Sequence, residues 1–145
     1  MTTSVLADAA SALITFDLGE EGAAVVAAGR LVHRVIARPM SGGLAAVALV
    51  CPLLRRSSDG AIVEAARRAL ECRGRSFLLV GAGAVSLGPV SRSLAALAST
   101  PDHALAHLEA AVDLADRSGA RLWRAVCRRD LLRHHGTDCV RGELR

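Results

Sequence analysis

Three sets of residues in this chain have the types and spacing to do chemistry. His103 and His107 stand four apart in "HALAH", a spacing that on a helix can bring two imidazoles to one metal ion. No carboxylate lies between them to act as a base, so the plainer reading is a pair of helix-surface histidines. Cys127, His134 and Cys139 could gather around zinc, since residues seven apart share a helical face, but only His135 offers a nearby fourth ligand. That spacing matches no common structural zinc site. Cys127, Asp130 and His134 also supply a nucleophile, an orienting acid and a base. All three would lie on one short helix, where a cleft with converging groups is hard to build. A local pair between Asp130 and Arg133 or His134 at the helix end is the simpler expectation.

The segment "GRSFLLVGAGAVSLGPV" offers a fourth possibility, a dinucleotide-binding turn. Such a turn needs GxGxxG after a strand so that backbone can approach a pyrophosphate at a helix N-terminus. Gly81 and Gly83 fit, but Ser86 stands where the third glycine belongs and Gly88 comes two residues late. A glycine-rich connection feeding a helix near Pro89 accounts for the pattern without a ligand. A Walker phosphate loop is excluded because all 18 basic residues are arginine. No catalytic residue, cofactor or metal is therefore assigned, and the chain is not expected to be an enzyme. The rival from that class is a small nucleotide- or metal-dependent enzyme using the GAGAVSLG loop or the cysteine and histidine cluster.

The elements that position these residues follow from composition and periodicity. With 145 residues, 52% of them apolar and 2% aromatic, one core must be built from Ala, Val and Leu, which favours closely packed helices. Ser4 or Asp8 can open a first helix that Gly19 ends, and Glu20 to Arg38 can form a second before Pro39. Leu44 to Leu54 is apolar on every face and carries Pro52, so periodicity does not decide between buried helix and strand. Ser58 or Asp59 can cap a helix from Ala61 to about Cys72, and Phe77 to Val80 reads as a short strand. From Ser91 onward the helical signal is cleaner. After Pro101, residues Ala104, Leu105, Leu108, Ala111, Val112 and Ala115 span an arc of about 120° at 100° per residue, with Glu109, Asp113, Asp116 and Arg117 outside it. Gly119 ends that helix. A second runs from about Ala120 to His134, with Leu122, Trp123, Val126, Cys127 and Leu131 on its apolar side and Gly136 as its stop.

Arg121, Arg124 and Arg128 share the opposite face of that last helix. Eight arginines from Arg117 to Arg145 face only Asp130, Asp138 and Glu143, a net of +5 that leaves about −1 for the preceding 116 residues. An acidic partner should approach this end. Weak nucleic-acid binding by the arginine-rich segment is a further alternative, although the stacking aromatics that usually accompany it are nearly absent. Cys51, Cys72 and Cys127 are expected to be buried small hydrophobes. No secretory signal is expected, because the N-terminus lacks a basic region and carries Asp8 within its apolar run. The uncharged stretch from Gly42 to Leu54 is too short to span a bilayer, so a cytoplasmic protein is expected.

The segment "LGPVSRSLAALASTPDHALAHLEAAVDLADRSGARLWRAVCRRDLLRHHG" resembles the tetratricopeptide-like helical region that follows the ATPase core in large LuxR-type bacterial transcriptional regulators. Those regions typically read as a leading "LGPVARYLG" helix, an "A..H.E.AL" helix and a "GA..W.A" opening. The resemblance covers roughly Arg67 to Gly136. It implies that Leu94 and Ala95 are packing positions of one repeat helix and that Ala104, Leu108 and Ala111 are those of the next. The turn between Ala98 and Ala104 is about three residues shorter than usual, and no 34-residue period runs through the first 60 residues. Neither ATPase motifs nor a DNA-binding helix-turn-helix is present, so ATP and DNA binding do not carry over.

What the resemblance implies is an all-α fold of antiparallel helical hairpins in a tetratricopeptide-like, right-handed and degenerate stack. Residues 1–60 would form N-terminal helices without a clear repeat, 61–136 the tetratricopeptide-like helices and 137–145 a flexible C-terminal tail, all in a single domain. The implied function is a non-catalytic interaction module, a fragment or remnant of such a regulator. Its expected partners are another protein, the other domains of a parent regulator or a second copy, with Arg121, Arg124, Arg128 and Trp123 as candidate contacts. No membrane is expected as a partner, nor nucleic acid from this chain alone.

Overall fold

A helix that is apolar on all sides has to be surrounded, and this chain places its most uniformly apolar segment at the centre. The computed structural model describes residues 4–80 and 85–142, with side chains as far as Gly136. Helix α1 (Val5–Asp17) and helix α2 (Glu21–Ala37) form an antiparallel pair. They are joined through Gly19, whose φ of +90° is a conformation that glycine adopts without a Cβ penalty. Helix α3 (Gly43–Leu54) packs against both of them, with Ala45 to Ala48, Val50, Cys51, Leu53 and Leu54 buried. Helix, not strand, is thus the outcome for the segment that periodicity left open. Pro52 is accommodated because it stands exposed in the last turn, where one missing backbone hydrogen bond does not interrupt a longer run.

Helix α4 (Gly60–Glu71) begins at Asp59, whose carboxylate accepts hydrogen bonds from the Ala61 and Ile62 amides at 3.0 and 3.2 Å. This is the capping expected of aspartate before an amphipathic run. Strands β1 (Phe77–Val80) and β2 (Val85–Pro89) then pair antiparallel. Leu78 lies opposite Gly88 and Leu79 opposite Ser86, so Leu87 is an extra residue that bulges the second strand and packs against the core. The glycine-rich connection expected after Val80 is thus half strand, and Gly81 and Gly83 fall outside the described residues.

Helix α5 (Val90–Ala96) follows directly, and a turn of four residues leads to helix α6 (Pro101–Arg117). Thr100 caps α6 by accepting a hydrogen bond from the His103 amide at 3.2 Å, with Pro101 in the first helical position where its missing N–H costs nothing. Gly119, at φ +64°, turns the chain into helix α7 (Arg121–Gly142), which packs back along α6. The fold is therefore all-α with one small two-stranded hairpin. Gly136 does not end α7, which continues to Gly142, so the backbone of 137–142 is helical. A single interior glycine costs about 1 kcal/mol relative to alanine and, without a following proline, does not terminate a helix. Among the described residues, no helix is long and apolar enough to cross a membrane.

Candidate functional site

The α6–α7 hairpin fixes which α7 residues face outward. The buried face of α7 centres on Cys127, which is fully buried, with Trp123, Asp130, Leu131 and His134 half-buried on either side. At 100° per residue Leu122 lies about 140° from Cys127, and it is 71% exposed instead of joining the apolar side as its type suggests. Leu132 is equally exposed. Together with the exposed Ala125 and Arg129 they form a stripe at positions 122, 125, 129 and 132, with spacings of three, four and three. The sequence carries this signal, but it is easily missed when every leucine is assigned to the core.

Arg121, Arg124 and Arg128 flank the stripe on the solvent side and are all exposed. Asp116 of α6 bridges two of them, accepting a hydrogen bond from Arg128 Nη2 at 3.0 Å and lying 3.6 Å from Arg124 Nη1. Arg121 makes no ion pair among the described residues. At this exposure the Asp116 contacts are worth a few tenths of a kcal/mol each and hold the guanidinium groups in place more than they stabilise the fold.

Trp123 is not presented at an open end. Its six-membered ring lies against Gly88, where a Cβ would come within 2.7 Å of Cζ3 and 2.8 Å of Cε3. The Arg92 guanidinium sits 6.0 Å from the indole centroid. Arg92 in turn donates to Asp130 Oδ2 at 2.7 Å. Asp130 therefore pairs with α5 across the interface, and with neighbouring Arg129 at 3.3 Å.

No group of three metal-ligating side chains gathers among the described residues, and the side chain of Cys139 lies outside them. Burial raises the Cys127 thiol, with Asp130 adding to the effect and Arg92 opposing it, so Cys127 stays protonated at neutral pH. Cys51 is fully buried and pushed up to about 12 by the same cause. Cys72, by contrast, is exposed and not buried as expected. It follows Leu70 by two residues and so is turned about 200° from that buried position. His103 is exposed, while His107 is half-buried and lowered, chiefly by burial, with Glu71 opposing and His103 and Arg67 reinforcing.

The residues that the resemblance assigns to repeat packing lie on α5 and α6. Leu94, Leu108 and Ala111 are buried, and Ala95 and Ala104 are half-buried. Compared with protein-family models, with curated proteins and with solved structures, the chain shows no match.

Proposed function

We propose that this chain is a non-catalytic helical interaction module that receives an acidic, leucine-bearing helix of a protein partner on the outer face of α7. The observation that carries this reading is the stripe of Leu122, Ala125 and Leu132 set among Arg121, Arg128 and Arg129, all exposed. Helix-in-groove partners are recognised in this way, through apolar anchors at three- and four-residue spacing with charge matched along the rim. The partner belongs to the cytoplasm, either as a separate protein or as another part of a larger regulator. The sequence resemblance of Arg67 to Gly136 to the tetratricopeptide-like region of LuxR-type regulators supports that second source. The contacts of α6 with both α5 and α7 are compatible with a degenerate repeat of that kind.

The test is fluorescence anisotropy with a labelled synthetic amphipathic helix carrying leucines at three- and four-residue spacing and glutamates on its flanks. Binding should weaken at least tenfold on replacing Arg121, Arg128 and Arg129 by Glu, and also on replacing Leu122 and Leu132 by Ser with every charge retained. If a scrambled peptide of identical composition binds equally well, or if single-stranded DNA competes more strongly than the helix, the reading fails.

A further inference from the structure

A concave feature lies between the C-terminal end of α3, the α5–α6 turn and one side of α7. It encloses about 540 Å³, within the range of roughly 300–1,000 Å³ typical of sites for small organic molecules. Its origin is legible in the chain. Helix α5 has only seven residues, the turn after it is short, and the walls are set by Ala48, Ala95, Ala96 and Ala104. Side chains ending at Cβ leave the space between these helices unfilled.

The polar groups around this space are mostly of one sign. Arg55 comes from the end of α3, Arg92 from α5 and Arg133 from α7, while Asp130 is the single carboxylate in the lining. Asp130 is already bound to Arg92 at 2.7 Å. Arg55 is exposed and makes no ion pair among the described residues. Arg55, just past the end of α3, Arg92 of α5 and Arg133 of α7 therefore border a cleft partly walled by alanines, with Arg55 making no ion pair among the described residues, and guanidinium groups are suited to two-point contacts with planar or tetrahedral oxyanions.

From this arrangement we infer that the cleft between α3, α5, α6 and α7 binds a small organic oxyanion: an apolar body against the alanine walls and a carboxylate or phosphate head held by Arg55 and its neighbours. The site shares Arg133 with the edge of the outer face of α7, about 20° from Leu122 at 100° per residue, but does not depend on a helical partner binding there.

Nuclear magnetic resonance on ¹⁵N-labelled protein tests this, with benzoate, phenyl phosphate and the uncharged benzyl alcohol as probes at about 0.15 M salt. One or both oxyanions should shift the Arg55 and Arg92 Nε–Hε signals together with the amides from Ala95 to His103, at least tenfold more tightly than benzyl alcohol. The tighter of the two oxyanions identifies the head group. Arg55→Gln, at a position with no ion pair to lose, should weaken binding at least fivefold while leaving the rest of the spectrum unchanged. Ala104→Leu, which narrows the cleft without touching a charge, should weaken it as well, and Arg124→Gln on the outer face should not. Equal binding of benzyl alcohol, no binding of either oxyanion, shifts centred on Arg121 and Arg124, or unaltered affinity in Arg55→Gln would each overturn the assignment.

Discussion

Placing a methyl group on Gly88 should destabilise the protein by about 2–5 kcal/mol, because two independent costs meet at that residue. Gly88 has φ +96°, where a residue with a Cβ is strained by roughly 1–2 kcal/mol. The added Cβ would also lie 2.7 Å from Trp123 Cζ3, and over-packing of this kind costs about 1–3 kcal/mol after the neighbours shift. Against a total stability of about 5–15 kcal/mol for a natural domain, the loss is large. Trp123 is the only tryptophan, so its emission during urea denaturation reports the contact directly. Gly88→Ala should lower the midpoint and shift the native emission as the indole is displaced.

The two costs separate in a Trp123→Leu background, followed by circular dichroism. With the ring gone, Gly88→Ala should cost only the conformational part, about 1–2 kcal/mol. An equal cost in both backgrounds would show that the close approach to the indole is not what restricts this position. A cost below about 1 kcal/mol in the native background would refute both parts.

Two further outcomes follow from buried polar groups. The hydroxyl of Ser91 is buried and meets no hydrogen-bond partner among the described residues, so Ser91→Ala in α5 should stabilise the protein by about 0.5–2 kcal/mol through removal of an unpaired group and a gain in helix propensity; a loss above about 0.5 kcal/mol by urea denaturation would contradict this. His107 is lowered below 6.5 in the fold, so the unfolded chain takes up its proton first as pH falls; the neutral form's contribution is intact above about pH 6.5 and declines below it. Urea midpoints between pH 7.5 and 5.5 should therefore fall less steeply in His107→Gln than in the native protein, and identical slopes would exclude His107 as a source of the decline.

The C-terminal half of the fold was the most legible because each of its boundaries has a local chemical cause. Thr100 and Pro101 start α6 and Gly119 separates it from α7, all readable one residue at a time. The α6 arc from Ala104 to Ala115 is buried or half-buried in the structure, as its 3.6-residue period requires. What could not be read was set by tertiary surroundings. Leu44 to Leu54 has no polar face because α1, α2, α4 and α5 all contact it, and a segment without a polar face gives periodicity nothing to detect. The second strand escaped notice because its partner is fixed by a bulge at Leu87 and by the approach of Trp123 to Gly88, a contact across 35 positions. Asp130 was assigned to its own helix for a similar reason, since the sequence does not show that Arg92 reaches it.

The same distinction bears on how the basic end of the chain should be understood. Counting charges assigns +5 to the last 29 residues, which by itself suits any polyanion. In the fold, Asp116, which lies outside that count, takes up Arg124 and Arg128, so the field presented outward is weaker than the count. Polyanion binding depends on many unpaired cations, each releasing counterions, whereas α7 shows partly neutralised arginines around Leu122 and Leu132. Exposed leucines contribute nothing to contact with a phosphate backbone and a great deal to contact with a helix. The decisive comparison is therefore between variants that alter only the leucines and variants that alter only the arginines: a protein helix must lose affinity in both, while a polyanion loses it in the second alone.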